Sequence, residues 1–545
     1  YVDPHMHLDY VFTAGLGEEN GSGTLFEGIQ RWSESKGHMT VEQMKERIYS
    51  GIRKEMLNGV QAIRTHIDVT DPTFTGLKAA LEVRDEVKDI LDLQIVAFPQ
   101  EGMYAYKGGD ELVEEALKMG ADCVGAIPHF ELARGAEVDY FLTKERLCGY
   151  NVEQIQVLNA IPTFNVYGQQ ANNKDFDFSK VSKPGVYGYW EHMDYIVDCA
   201  AANGIYIAMD CIWGSMIGQM DIKKAEAYGK FLGERYKNKP NIIWMIGGDI
   251  LGDKSPEVWD ALARSIKKYD KNHIMTFHPR GRTTSARWFN DREWMDFNMF
   301  QSGHRRYGQR NGDGDYTIKD NTEEDNWRYV DMSFEKKPLR PVIDGEPSYE
   351  DIPQGLHDFS APRWMDYDVR RYAYWAVFGG AFGHTYGHNS VMQFMRPGVL
   401  SSFGAEKPWW DAMKDPGYNQ MKYLKWLMLA FPYTEGEGDQ SIIAGENGER
   451  YDRVIAMRGT DFMLVYNYSG KPMKIDLTKI SGSKKNVWWM NPTDGKLTFV
   501  GEMDNKVTDF TYDGAYLRGS DRVLIAVDAS KDYLKKDQTE LVEKD

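Results

Sequence analysis

Two apolar runs in this chain end abruptly on a carboxylate. Residues 340–347 (RPVIDGEP) carry Val342 and Ile343, β-branched residues suited to a pleated core, and then Asp344 and Glu346 around Gly345 and Pro347. Residues 241–249 (NIIWMIGGD) end on Asp249 behind Gly247 and Gly248, which let a backbone or ligand approach closely. In parallel α/β folds, groups at the carboxyl ends of strands face the ligand crevice. A pair of strand-end carboxyls suits cleavage of a glycosidic bond: one protonates the leaving oxygen and the other, charged, meets the oxocarbenium-like centre. On this reading Asp249 is the acid and Glu346 the charged partner, while Asp344 is structural and orients an arginine.

The strands needed to position such a pair recur along the chain. Strand patterns at 153–159, 205–213, 241–249, 273–281, 295–303, 340–347 and 380–388 alternate with amphipathic helical patterns such as 189–203, 220–237 and 256–269. This rhythm predicts an α/β fold, a (β/α)8 TIM barrel spanning 134–432, with the strand at 123–130 completing the eight. From about residue 433, short alternating runs divided by Gly, Asp and Asn predict a C-terminal β-sandwich over 433–545. Residues 1–133 form a separate β/α segment with strands at 1–9, 60–69, 93–100 and 123–130. Its helices lie at 41–58, 75–89 and 110–119, the last capped by Gly120.

Composition narrows the partners. The 545 residues are 42% hydrophobic and 27% charged, as expected of a folded chain with large cores. A formal charge of −17 argues against nucleic acid or an anionic membrane surface as the main partner. Fifteen Trp and 32 Tyr supply flat faces suited to sugar rings as well as to core packing. The four cysteines, Cys123, Cys148, Cys199 and Cys211, form no CxxC, so neither a disulfide framework nor a zinc knuckle is expected. No apolar run is long enough for a membrane span, and no signal peptide opens the chain.

His5 and His7 alternate on a strand and so present two imidazoles to one side. With PHMHLD, GTLFEG, RTHIDV, LQIVAFPQEG and GADCVGAIPHFE in order, residues 1–133 closely resemble the N-terminal part of bacterial cytosine deaminase, an amidohydrolase. The resemblance implies that His5 and His7 match two metal ligands and Gln100 a pyrimidine contact. The family's later ligands, a histidine in an HCDE-type motif and a late aspartate, have no counterpart after Phe130. A divalent metal, Fe or Zn, is expected only if this partial site is retained, and deaminase chemistry is the alternative reading.

From residue 137 onward the chain resembles glycoside hydrolase family 140, the apiosidase-like family. The resemblance is carried by IQVLNAIPTFNVYGQ, KPGVYGYWEHMDYIVD, YKNKPNIIWMIGGD, FHPRGRTTSARWF, DFNMFQSGHRRYGQR, VIDGEPSYEDIPQGLHD and RRYAYWAVFGGAFGHTYGHNSVMQF. It implies a TIM barrel followed by a β-sandwich, acting without a cofactor on apiose-containing side chains of the pectic polysaccharide rhamnogalacturonan II. Asp249 would match the general acid/base and Glu346 the nucleophile of a retaining mechanism. Polar and aromatic groups near the other strand ends are expected substrate contacts: Asn159, Trp213, His278, Arg280, Arg282, Gln301, His304, Arg305, His384, Tyr386 and His388. The family's own first strand is replaced by deaminase-like sequence, so contacts from that strand are lost. A carbohydrate-binding relic without turnover is the third reading. The glycosidase resemblance suggests a periplasmic or secreted protein, and the deaminase-like start a cytoplasmic one.

Overall fold

The computed structural model describes the chain apart from residues 18, 22–24, 104–105, 107, 128–136, 166–167, 183–187, 310–323, 515 and 544–545. It divides into two units: Tyr1–Lys144 with Ile161–Asn203, and Glu145–Ala160 with Gly204–Asp545.

The first unit is built on four parallel strands, β1 (Val2–Met6), β2 (Ala62–Asp68), β3 (Asp92–Phe98) and β4 (Cys123–Val124), paired in that order. Helices α1 (Leu25–Lys36), α2 (Val41–Leu57), α3 (Thr75–Val87) and α4 (Gly109–Met119) connect them. Thr40 and Gln43 form a capping box at the start of α2, and Gly120, at φ 119°, ends α4. Period-2 alternation places Ile63, Thr65 and Ile67 of β2 on the buried face. There the two isoleucines join Ile48, Leu77, Val83 and Ile95 in a core of the unit's own. The residue 1–133 segment therefore needs no barrel to bury its apolar face. Its last strand was expected to complete the second strand series, but Cys123 and Val124 pair with Val96 and Ala97 of β3. The short β3–α4–β4 crossover returns the chain to the nearest free parallel edge. Residues 128–130 of that expected strand lie outside the described residues.

Helix α5 (Glu137–Leu147) leads to the second unit, whose first sheet is β5 (Val152–Leu158), β6 (Tyr206–Trp213), β7 (Ile242–Ile250) and β8 (Met275–Pro279), all parallel. Helix α6 (Tyr189–Ala202), lying between β5 and β6 in sequence, belongs to the first unit. A second sheet holds β9 (Thr283–Thr284), β10 (Asn298–Gln301), β11 (Val342–Asp344) and β12 (Gly383–His384); β9 is antiparallel and the rest parallel. Between β8 and β10, the Asp296 N–H donates to Met275 O at 2.9 Å and Thr276 Oγ1 to Phe297 O at 2.8 Å. Between β5 and β12 there is no strand ladder among the described residues. Instead Gln154 Nε2 donates to Thr385 Oγ1 at 2.7 Å and to Gly345 O at 3.2 Å. The eight-strand series expected from the sequence is thus met by seven parallel strands in two sheets, since β4 pairs with β3. Ile243, Met245, Phe297, Met299 and Ile343 fill the interior these strands share. Helices α7 (Ile222–Tyr236) and α8 (Pro256–Tyr269) pack closely, since a Cβ on Gly229 would stand 2.6 Å from that of Ser265.

After α9 (Asn326–Phe334), α10 (Asp366–Phe378), α11 (Trp409–Ala412) and α12 (Pro416–Leu429) the chain becomes antiparallel β. Strands β13 (Glu437–Gly438), β14 (Val454–Arg458), β15 (Phe462–Asn467), β17 (Lys484–Met490), β18 (Leu497–Asp504) and β20 (Arg522–Asp528) form one sheet. β16 (Met473–Asp476) and β19 (Val507–Phe510) form a two-stranded layer. One face of the larger sheet packs Ile455, Leu464, Trp488 and Ile525 against Ala373 and Trp375 of α10 and Leu424 and Leu427 of α12. The C-terminal strands therefore share a core with the βα part and fall in the same unit. Arg370 of α10 fastens this packing through two 2.8 Å hydrogen bonds to Asp521, both side chains being buried. Removing one partner strands the other's charge, so Asp521→Ala is expected to destabilise the second unit by about 3–5 kcal/mol in chemical denaturation.

Candidate active site

Glu346 follows β11 and is buried. Its Oε1 lies 2.8 Å from His304 Nε2 and its Oε2 3.2 Å from His278 Nε2. His278 comes from β8, and His304 from the turn after β10. That turn is tied to the β11 loop by Gly303 N–H donating to Glu346 O at 3.0 Å and Ser348 Oγ to Gly303 O at 2.8 Å. Trp364 Nε1 donates to His304 O at 3.0 Å, and the Tyr349 ring meets the His304 ring edge-on at 4.7 Å. Burial alone would raise the Glu346 pKa, but the two imidazoles overcome it and hold the carboxyl at about 2. Conversely, burial would lower His278, and Glu346 outweighs that to lift it to about 9.

Asp249 sits where β7 breaks. Gly247, Gly248 and Asp249 have φ of 115°, 86° and 49°, and the β7–β8 register shifts between Gly247 and Ile250. The first two positions need glycine for a second reason: a Cβ at 247 would meet His278 O at 2.3 Å, and one at 248 the Trp213 ring at 2.4 Å. Asp249 keeps contact with solvent, yet the protein around it disfavours its charge and Glu346 adds repulsion, so its pKa rises. Gln301 donates a side-chain hydrogen bond to it. Trp213, half-buried, stands over Gly248 with its ring 6.0 Å from that of His278. Gly248→Ala is expected to displace Trp213 and lower kcat/KM roughly ten- to hundredfold while the fold survives, measured by steady-state kinetics beside circular dichroism.

The structure therefore groups Asp249, Glu346, Trp213, His278, Gln301 and His304. Arg280 is exposed just beyond β8, and Arg305 is half-buried beside His304. Arg282 is buried and donates to Gln309 O at 2.8 Å. Asn159 is exposed beyond the end of β5.

Three expected substrate contacts are engaged by other side chains. His384 Nε2 meets Met421 Sδ at 3.3 Å in the α10–α12 layer, where burial drops its pKa to about 4. Tyr386 donates to Glu350 Oε2 at 2.5 Å and packs beside Tyr150 and Tyr418. His388 is pinned between Asp415, at 2.8 Å, and the Ser390 N–H, at 3.0 Å. His384 is in register with Asp344 and opposite in parity to Ile343 of the interior cluster, so its side chain leaves the strand on the face away from that cluster. Asp344 itself orients no arginine. It accepts from Ser302 Oγ at 2.8 Å and Asn326 Nδ2 at 3.0 Å, and burial lifts its pKa to about 7.

Asp210 went unnoticed in the sequence. It is a lone acid inside the apolar run IYIAMDCIW, buried in β6, and it interacts electrostatically with His278, Asp249 and Glu346.

In the first unit, His5 and His7 do come together, with ring centroids 5.2 Å apart, and His66 stacks on His5 at 4.0 Å. The nearby acids are engaged: Asp9 accepts from the Asp68 N–H, and Asp68 from Trp32 and Lys36. Among the described residues no three His, Cys, Asp or Glu side chains are arranged to hold a metal ion. Burial and the neighbouring imidazoles push His7 to about 4. Gln100, expected to meet a pyrimidine, is buried and accepts the Tyr10 hydroxyl at 2.9 Å. These residues do not fit the metal that the deaminase resemblance implies.

Residues 128–435 match the family described as "Apiosidase-like, catalytic domain", and residues 438–527 the family described as "Putative collagen-binding domain of a collagenase". A glycoside hydrolase family 5 structure from Bacteroides vulgatus ATCC 8482 is 65% identical, covers 74% of this chain and 89% of its own, and superposes with a TM-score of 0.73. A second solved glycoside hydrolase is 62% identical, covering 73% of this chain and 90% of its own, with a TM-score of 0.72. The N-isopropylammelide isopropyl amidohydrolase of Pseudomonas sp. (strain ADP) is 28% identical over 177 residues, 31% of this chain. The chain spans 43% of that curated relative's length. No helix among the described residues is long and apolar enough to cross a membrane.

Proposed function

Since the chain belongs to the apiosidase-like catalytic-domain family and is a glycoside hydrolase, we propose that it releases apiose-containing side chains of rhamnogalacturonan II by a retaining, two-carboxyl mechanism. The observation that carries the roles is the divergence of two neighbouring acids. Glu346 is held ionised by two imidazoles, while Asp249 is pushed toward its protonated form. Such divergence is how one site assigns acid and base.

In the proposed sequence Glu346 attacks the anomeric carbon as the bond to the leaving oxygen breaks, and Asp249 gives that oxygen its proton. Asp249, now ionised, takes a proton from water, whose oxygen displaces Glu346 and frees the sugar. No cofactor enters these steps. His304 and His278 hold the nucleophile in place, Gln301 orients Asp249, and Trp213 offers a stacking face. Arg280 and Arg305 suit an adjoining galacturonate carboxylate. We read the seven parallel strands as a TIM-type barrel bridged by Gln154 in place of one strand.

Incubation with apiose-containing pectic oligosaccharides tests the substrate. Apiose release by the unmodified chain and none by Glu346→Ala is expected; equal release by both would refute the assignment. Proton NMR of the first product formed distinguishes retention from inversion.

A further inference from the structure

Asp210 is in register with Gln156 on one side and Met245 on the other, and Met245 with Thr276. Side chains in register share a face, and Met245 belongs to the interior cluster with Phe297 and Met299. Asp210 therefore faces that interior, one residue layer below His278, which follows Thr276 by two positions. It is 2% exposed, no side chain among the described residues donates to either oxygen, and the Ile212 N–H gives only partial relief. A buried carboxyl without donors is expensive to maintain. His278 carries the complementary deficit: its Nε2 meets Glu346, while its Nδ1 is buried with no acceptor among the described residues. The other groups around this imidazole are Glu346 and Asp249, with the Trp213 ring beside it and His304 on the far oxygen of Glu346.

We propose that Asp210 is a positioning residue that supplies the negative charge opposite the Nδ1 side of His278 and so keeps that imidazole aimed at Glu346. Its relevance to turnover rests on the reading of Glu346 as nucleophile. The physical logic is a charge chain: acid, imidazolium, acid, with the cation in the middle shared by two buried carboxyls. Burial raises Asp210 to about 7, so its charge is established near neutrality. His278, raised above its ordinary 6.5, stays protonated through that range and is released only as pH passes about 9.

The test is histidine-selective 15N NMR of the full chain, with the His278 signal assigned from His278→Gln. In the unmodified protein both His278 nitrogens should carry protons at pH 8. In Asp210→Asn the His278 pKa should fall by about one unit, a tenfold change in its protonation equilibrium. A His278 pKa that does not move in folded Asp210→Asn overturns the proposal. So does an unprotonated Nδ1 at pH 8 in the unmodified protein, which holds even if the variant fails to fold. Because the NMR readout needs no turnover, it is separable from failure of the glycosidase roles, which Glu346→Ala reports.

Discussion

Glu346→Ala is expected to lower kcat by about 10⁴-fold or more while leaving substrate binding within a few-fold, as removal of a covalent nucleophile does. The side chain is deeply set and bonded to two imidazoles, so its loss opens a small cationic hollow at the anomeric carbon. A small anion such as azide or formate should enter that hollow and restore part of the turnover. Restoration distinguishes a missing nucleophile from a collapsed site, since collapse would leave nowhere for the anion to bind. Full activity of the variant without added anion would remove Glu346 from the chemistry. The same contacts bear on stability. A carboxyl depressed from an ordinary 4.5 to about 2 contributes stability above pH 4.5 that is lost as pH falls toward 2. The unmodified protein should therefore lose more stability over that window than Glu346→Gln, measured by thermal melts.

Asp249→Asn is expected to reduce kcat/KM by roughly 10²- to 10⁴-fold on natural substrates, the usual worth of a positioned general acid. The loss should shrink for aryl glycosides, whose leaving oxygen departs without a proton. The pH profile carries the sharper signature. On the proposed roles activity needs Glu346 ionised and Asp249 protonated, so the profile should rise as pH passes about 2 and fall as it passes the raised pKa of Asp249. In Asp249→Asn the alkaline fall should vanish, because no proton remains to lose. If the fall persists unchanged, the acid is another group, and His278 is the first to test.

That Asp249 and Glu346 end strands was legible locally: apolar, β-branched runs stop at glycine or proline, and a carboxyl just past the stop lands at the strand's exit. The division into βα units and antiparallel strands was legible too, because periods of 3.6 and 2 are written in neighbouring residues. Faces and partners were not. His384 lies on a strand of two residues, and only the register of β12 on β11 decides that its side chain shares the face of Asp344 rather than that of Ile343. Cys123–Val124 read as a strand in sequence, and pairing with β3 decided which sheet it joined.

The central case is Glu346. By itself the sequence determined that an acid stands at this strand end and that a second, Asp249, stands at another. Tertiary structure decided which of them is the stronger acid. His278 and His304 arrive from two other strand ends and hold Glu346 ionised, while Asp249 is left facing that charge. Charge states depend on distances through space, and no spacing along the chain encodes them.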